Sequence, residues 1–250
     1  MEPRSTATTT IPPPLTVWSK HPKNRCVADE IPAYWKEYDV LTFLAGTGMY
    51  DLSLCKSLDS GEKERVLQFT TDYFKKRFVV SRSLIKAVLR HLPGTGNRDA
   101  IIISREGKGI VIPERPDLFF SLTYSGSCIA LTVAKQKTGS DMEMMRAGEI
   151  RKVRESPLFD RFACRSGTDE SLHALHLWTL VEAYAKLRDT NPFPLLSTGG
   201  ILEDACFRSY SVDNQAVLSL AWDQGSISDI LLWTDKDTFA KKHGNTKSLP

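Results

Sequence analysis

Two apolar helical segments, each followed by strand-like runs, constrain the fold of this chain most strongly. The first, RFVVSRSLIKAVLRHL, begins at residue 77, and the second, LHLWTLVEAYAKL, begins at residue 175. An amphipathic helix must bury its apolar face, and the runs that follow each segment alternate as strands do. This repeated order of a helix followed by strands predicts an α+β fold of two similar halves related by a pseudo-twofold axis. A cleft between such halves is a natural place for a ligand.

Shorter patterns divide the rest of the chain. Apolar residues recur at spacings of three and four from Asp59 to His91, which predicts two helices, and residues 149–188 are again helical in pattern. Strands are predicted in DAIIISREGKGIVIP, in LFFSLTYSGSCIALTVA on both sides of SGS, in GSDMEM, and in CFRSYSV, AVLSLAW and DILLW. We expect a disordered leader in residues 1–14, an N-terminal α+β half in 15–117, a C-terminal α+β half with the metal site in 118–235, and a flexible tail in 236–250.

Composition and charge argue against several classes of protein. The chain has 250 residues, 41% hydrophobic and 25% charged, and its formal net charge of +3 is far from that of a dedicated nucleic-acid binder. The amino terminus lacks the apolar stretch of a signal peptide, and no run approaches the roughly 18 apolar residues that a membrane helix needs. We therefore expect a cytoplasmic protein that binds neither nucleic acid nor membrane.

The cysteines and histidines do not indicate a zinc site. The five cysteines are scattered without a C-x-x-C pair, which predicts neither a zinc ribbon nor a disulfide framework and fits a reducing compartment. His173 and His176 lie three residues apart, but no acid or cysteine stands at ligand spacing. We expect this pair on a helix surface.

Three acids are candidates for one site. Asp141 and Glu143 in GSDMEM are two residues apart, so on an extended backbone their side chains project from the same face. The helical segment WTLVEAYAK adds Glu182. Three carboxylates without histidine or cysteine form a hard oxygen site suited to Mg²⁺, which usually fills its remaining positions with water and substrate phosphates. The acids therefore predict phosphoryl or phosphodiester chemistry.

Each of these features also has a purely structural interpretation. Glu182 and Lys186 stand one helical turn apart and suit a surface ion pair. A D-x-E on an exposed edge strand suits a solvated face that prevents aggregation. Arg77 and Arg82 suit side chains that extend from an amphipathic helix to water. The residues alone leave these alternatives open.

The order of the motifs resembles that of a known family. The chain reads R-F-x-x-x-R-x-L-I-K, then G-K-G, S-L-T-Y-S-G, G-S-D-M-E and W-T-L-V-E-A-Y-A-K. This order resembles the 4′-phosphopantetheinyl transferases of the larger, surfactin-synthetase type, whose signatures are an arginine-bearing helix, G-K-P, I-S-H-S, G-I-D-I-E and W-T-x-K-E-A-x-x-K. The resemblance covers about residues 60–190.

The resemblance implies a fold and a metal site. Members of the family are monomeric pseudo-dimers of two α+β halves with coenzyme A bound in the cleft between them. Asp141, Glu143 and Glu182 match the family's Mg²⁺-binding acids, and Lys186 matches the lysine near the pyrophosphate of coenzyme A.

The resemblance also implies contacts with the rest of coenzyme A. Lys108 matches the lysine of the loop motif, and Arg77 matches the helix arginine that contacts the nucleotide end. Thr123 and Tyr124 match the Ser-His pair of the phosphate-binding turn.

The reaction implied moves the 4′-phosphopantetheine arm of coenzyme A to a serine of an acidic apo carrier protein and releases adenosine 3′,5′-bisphosphate. Mg²⁺ would neutralise charge on the pyrophosphate, which is the electrostatic help that phosphoryl transfer needs. Glu182 is the candidate general base, directly or through a metal-bound water, and Lys186 would stabilise or protonate the leaving phosphate.

Several positions depart from the family pattern. Val181 replaces a lysine that we expect near the phosphates, and Tyr124 replaces a histidine. Gln68 stands where a basic residue is common, and Ser140 and Met142 replace two isoleucines. Candidate suppliers of the missing charge are Lys75, Lys76, Arg82 and Lys108. The departures leave two alternatives open: a divergent active transferase, or a catalytically weak relative that binds coenzyme A or a carrier protein as a scaffold or regulator. A nucleic-acid-associated protein using KKRFVVSRSLIK is a third, less favoured reading.

Overall fold

A computed structural model describes most of the chain, and its elements follow the predicted mixture of helix and strand. It covers residues 15–94, 104–106, 109–144, 151–162, 169–198, 204–223, 225–235 and 238. The α+β class is confirmed. The pseudo-twofold axis and a coenzyme A cleft stay predictions. The predicted leader, Lys108 and all but one residue of the predicted tail lie outside the described residues.

The amino-terminal part alternates short strands with helices. Its two longer helices, Ser60–Leu67 and Asp72–His91, lie where two helices were predicted. Four short 3₁₀ segments, Pro22–Asn24, Ala28–Glu30, Thr47–Met49 and Leu52–Ser57, connect the elements. The elements in order are β1 (Leu15–Trp18), α1 (Ile31–Glu37), β2 (Val40–Gly46), α2 (Ser60–Leu67), α3 (Asp72–His91), β3 (Ser104–Glu106) and β4 (Gly109–Val111).

The carboxy-terminal part begins with three strands, continues with helices and ends with three strands. The strands coincide with the segments predicted from sequence. The predicted helical stretch from residue 149 is divided, because Ser156 caps a new helix that begins at Pro157. The elements are β5 (Phe119–Ser125), β6 (Cys128–Ala134), β7 (Thr138–Met144), α4 (Arg151–Arg154), α5 (Pro157–Arg161), α6 (Glu170–Leu187), α7 (Pro192–Thr198), β8 (Cys206–Val212), β9 (Ala216–Trp222) and β10 (Asp229–Trp233).

The described strands form two sheets. One has the order β1-β8-β9-β7, and the other has the order β10-β2-β6-β5-β4-β3. β1 runs parallel to β8 and β10 runs parallel to β2, whereas the other neighbours are antiparallel. The predicted boundary after residue 117 falls between β4 and β5, which are neighbours in the six-stranded sheet. The first described strand, β1, lies in the four-stranded sheet, and the last, β10, lies in the six-stranded sheet.

The apolar residues assemble these sheets and helices into layers. The helix α3 buries its apolar face on one side of the six-stranded sheet, where Leu84, Ile85 and Val88 belong to the same core as Phe43 and Leu131. A second core lies between the two sheets, and α6 covers the outer face of the four-stranded sheet. No described helix has the length and apolar character that crossing a bilayer requires.

Both histidines of α6 are buried, so the expectation that they lie on a helix surface is wrong. His173 is 8% exposed and His176 is 6% exposed. The reason is that α6 is covered on two sides, by the sheet and by the cluster that joins it to α4, α5 and α7. The ring Nε2 of His173 lies 2.5 Å from the carbonyl oxygen of Phe162. Burial, with a smaller contribution from His173, lowers the pKa of His176 to about 4.

Candidate functional site

Three hydroxyl side chains at alternate positions of β5 face the edge strand β7. They belong to Ser121, Thr123 and Ser125, which we call the hydroxyl row. Each accepts a hydrogen bond from a backbone amide of β7, namely those of Ser140, Met142 and Met144, at 2.9, 3.3 and 2.7 Å. Edge amides of a sheet need partners when they are buried. The hydroxyl row therefore joins the two sheets at this edge.

The hydroxyl row also donates to β7, and two of its members reach the predicted acids. Ser121 donates to the carbonyl oxygen of Ser140 at 3.2 Å. Thr123 donates to Asp141 Oδ1 at 2.8 Å, and Ser125 donates to Glu143 Oε2 at 2.7 Å. The structure thus places Asp141 and Glu143 along one side of β7, as the spacing predicted. It places the Thr123 hydroxyl against Asp141, where it orients that carboxylate.

The helix α6 brings Lys186 to the same place. Its Nζ lies 2.8 Å from Asp141 Oδ1 and 3.0 Å from the carbonyl oxygen of Ser140. This contact depends on Gly139, because a Cβ there would lie 2.0 Å from the carbonyl oxygen of Ala183 and 2.7 Å from the amide nitrogen of Leu187. Gly139, two residues before Asp141, therefore permits the close approach of helix and strand that pairs Lys186 with Asp141.

One carboxylate oxygen of Asp141 lacks a hydrogen-bond donor among the described residues. The residue is 4% exposed, and Oδ2 is buried without a hydrogen-bond partner in the described part of the chain. Burying an unsatisfied polar group costs about 1–3 kcal/mol, and more for a charged one. A bound cation at this oxygen would offset that cost. This buried Oδ2 makes Asp141 the best-supported ligand candidate of the three acids.

The other two acids are near the surface of the same region. Glu143 and Glu182 are half-buried, and Glu182 precedes Lys186 by one turn of α6. Among the described residues, no three His, Cys, Asp or Glu side chains converge closely enough to hold a metal ion. Mg²⁺ is commonly held by one or two carboxylates together with substrate phosphates. The two acids of β7 and the unsatisfied oxygen of Asp141 fit such a site.

A cleft of about 560 Å³ adjoins β5 on the side opposite the hydroxyl row. Tyr124 lines it, since alternate residues of a strand face opposite sides. Its ring lies under Arg77, with 4.1 Å between the guanidinium carbon and the ring centroid, and its hydroxyl donates to Ser81 at 3.0 Å. The other lining residues are Asp59, Gly61, Glu62, Arg65, Phe69, Phe74, Phe78 and Arg82.

The cleft contains functional candidates that the sequence did not single out. Arg65 donates to Gln68 at 2.8 Å, so a cation stands beside the position where the family often has a basic residue. Arg65 also lies over the ring of Phe69, with 5.4 Å from the guanidinium carbon to the ring centroid. Arg65 lies in α2 and Phe69 follows its end by two residues, so their spacing of four in the sequence was the only local signal. Arginines next to aromatic rings suit a nucleotide, whose phosphates and base need both.

One motif lysine has a structural partner. Lys86 is 4% exposed, and its Nζ lies 2.5 Å from Glu62 and 3.4 Å from Asp59. Asp59 and Glu62 form the capping box that begins α2. Arg82 is also near Glu62, at 3.7 Å. Lys86 therefore holds α3 against the start of α2.

Three of the substituted motif positions lie in the core, namely Ser140, Met142 and Val181. Val181 is fully buried in the apolar cluster with Val153 and Leu158. Position 181 therefore faces the α4, α5 and α7 side of α6, where its valine belongs to an apolar core. Met142 packs between the sheets, and buried Ser140 accepts a hydrogen bond from Thr132 at 2.9 Å.

Comparison with known proteins gives no family for this chain. No family model matches it, and no curated protein matches it.

Proposed function

We propose that this protein transfers the 4′-phosphopantetheine arm of coenzyme A to a serine of an acidic apo carrier protein. It would act as a cytoplasmic monomer that depends on Mg²⁺ and releases adenosine 3′,5′-bisphosphate. The observation that carries the proposal is Asp141, a buried carboxylate with one oxygen on Lys186 and the other without a partner in the described structure. A diphosphate with its cation would satisfy both groups.

The cleft beside Tyr124 supports a nucleotide at the other end of the substrate. A guanidinium group stacks on a ring through its face and donates hydrogen bonds through its edge, so stacked Arg77 can still bind a phosphate. Arg65 is a second candidate for phosphate binding, and Phe74 is an exposed ring for the base. Tyr124 joins the two regions, because it follows Thr123 in β5.

Asp141 and Glu143 would hold the Mg²⁺ ion, with Glu182 as the third predicted ligand. When bound, Mg²⁺ supplies positive charge to the pyrophosphate oxygens. Lys186 would donate to the phosphate that leaves, and its contact with Asp141 keeps the ammonium group in the site. Glu182 would accept the proton of the carrier serine as its oxygen forms the new bond to phosphorus. The bond from that phosphorus to adenosine 3′,5′-bisphosphate breaks.

A second candidate function is a relative that binds coenzyme A or a carrier protein without turnover. The specific observation in its favour is that the three acids do not converge into a metal-holding group among the described residues. Tyr124 in place of a histidine also favours it, because the phenol carries no positive charge at neutral pH.

Intact-mass spectrometry separates these two functions. Apo carrier proteins from several pathways are incubated with the full chain, coenzyme A and Mg²⁺. We expect the mass of one phosphopantetheine arm to be added to a carrier, and we expect EDTA to prevent this. Calorimetric binding of coenzyme A without any mass gain would instead support the non-catalytic relative.

A further inference from the structure

The hydroxyl group of Ser125 is fixed from two directions. It is 3% exposed, it accepts the amide hydrogen of Met144 at 2.7 Å, and it donates to Glu143 Oε2 at 2.7 Å. A serine hydroxyl has one hydrogen and two lone pairs. The amide of Met144 occupies a lone pair, and the single hydrogen is directed at the carboxylate of Glu143. The backbone of β7 therefore orients the hydroxyl that orients the acid.

The other members of the hydroxyl row show what is particular to Ser125. All three accept from an amide of β7, but their hydrogens go to different acceptors. Ser121 donates to a backbone carbonyl, whereas Thr123 and Ser125 donate to side-chain carboxylates. Ser121 is thus a built-in control that joins the same strands without touching an acid. Thr123 demonstrates that a threonine fits this bonding pattern.

The position of Ser125 also ties Glu143 to α3. Ser125 is the last residue of β5, and Gly126 follows it in the turn to β6. The carbonyl oxygen of Gly126 accepts a hydrogen bond at 2.9 Å from the hydroxyl of Tyr73 in α3. The end of β5 is therefore held both by β7 and by α3. A well-held hydroxyl restricts the orientation of the carboxylate that it contacts.

We propose that Ser125 is a positioning residue that holds Glu143 in the orientation needed to bind Mg²⁺. This inference rests on the proposed function, because it assigns Glu143 to the metal. Groups that hydrogen-bond to metal ligands set their orientation, and their loss typically weakens metal affinity by about 10–100-fold. Ser125 stands where the I-S-H-S signature has its last serine, but its assignment as a positioning residue comes from its contacts with Glu143 and Met144.

Calorimetric titration of Mg²⁺ into the full chain with saturating coenzyme A tests this role. We expect Ser125→Ala to weaken Mg²⁺ binding about tenfold or more, and Ser125→Thr to restore it. Ser125→Cys keeps a side chain of similar size with a weak donor, so it should fold and still bind Mg²⁺ less tightly than the wild type. Ser121→Ala should lower the melting temperature and leave the affinity for Mg²⁺ near that of the wild type.

The outcomes separate this inference from the proposed function. Wild-type affinity for Mg²⁺ in both Ser125→Ala and Ser125→Cys would overturn the role of Ser125 and leave the proposed function intact. An equal loss of affinity in Ser121→Ala would overturn it as well, because the effect would then belong to the strand contact. Absence of Mg²⁺ binding in the wild type would overturn both the proposed metal dependence and the inference.

Discussion

Lys186 on α6 donates to Asp141 on β7 across 2.8 Å, and the two residues are 45 positions apart in the chain. The Asp141 side chain is 5% exposed and that of Lys186 is 21% exposed. A charged pair in such a place depends on both members, since removing one leaves the other charge poorly solvated. The pair links the two elements that carry the predicted acids, so we expect its loss to affect both the stability of the protein and the geometry of the site.

Replacing Lys186 with methionine tests this link. We expect Lys186→Met to lower the free energy of unfolding by about 2–3 kcal/mol, because Asp141 loses a charge-assisted hydrogen bond while remaining buried. Urea denaturation measures the loss. Adding Asp141→Asn should recover part of it, since the uncompensated charge is then removed. Equal stability of wild type and Lys186→Met would contradict the importance of the pair.

Gly139 sets the distance between α6 and β7. We expect Gly139→Ala to destabilise the protein by about 3 kcal/mol, because its new Cβ would lie 2.0 Å from a backbone oxygen that cannot move independently. Gly48→Ala is the control, as a Cβ there meets nothing within 4 Å. Thermal unfolding of the two variants gives the comparison. Similar melting temperatures would show that α6 does not need this close approach.

Arg77 is expected to contribute to nucleotide binding through the cleft. Arg77→Ala should weaken binding of adenosine 3′,5′-bisphosphate by about 1.5–3 kcal/mol, the usual contribution of a charge-assisted hydrogen bond. Lys63→Ala is the matched control, because Lys63 is an exposed cation of α2 that does not line the cleft. Calorimetry measures both. An equal loss in the two variants would indicate general charge attraction and no specific phosphate contact.

His176 makes stability depend on pH. Burial lowers its pKa from 6.5 to about 4 in the folded protein, so the unfolded chain binds the proton more tightly. Stability should therefore fall as pH is lowered from 6.5 to about 4, by about 3 kcal/mol in total from this residue. His176→Leu should remove this part of the dependence of stability on pH, whereas His21→Gln, at an exposed position, should keep it. Denaturation midpoints of the wild type and of both variants, measured across this pH range, show which of them keep the slope.

Local patterns predicted the main described elements from residue 59 onward, whereas β1, α1 and β2 were not predicted. The period of apolar residues identified α3 and α6, and the alternation in GSDMEM identified β7 and the shared side of Asp141 and Glu143. The parallel pairings of β1 with β8 and of β10 with β2 could not be read in the same way. They join distant parts of the chain, and no local pattern specifies such partners.

Two features of the site required the tertiary structure for different reasons. The burial of His176 and Val181 follows from covering α6 on two sides, and this helix is apolar almost all round, so its sequence does not mark one inner face. The hydroxyl row did have a signal, since Ser121, Thr123 and Ser125 alternate with period two. Its partner strand β7 lies in the other sheet, and no local pattern in the sequence shows that β5 and β7 come into contact.

The intact mass of an apo carrier protein over time is the most direct test of the proposed role of Asp141 in phosphopantetheinyl transfer. The full chain with coenzyme A and Mg²⁺ should add one phosphopantetheine arm to the carrier. Asp141→Asn, confirmed to be folded by circular dichroism, should add it at least about 100-fold more slowly, because a metal ligand and the partner of Lys186 are both lost. Transfer at an unchanged rate by Asp141→Asn, or no transfer by the wild type to any carrier, would contradict the claim.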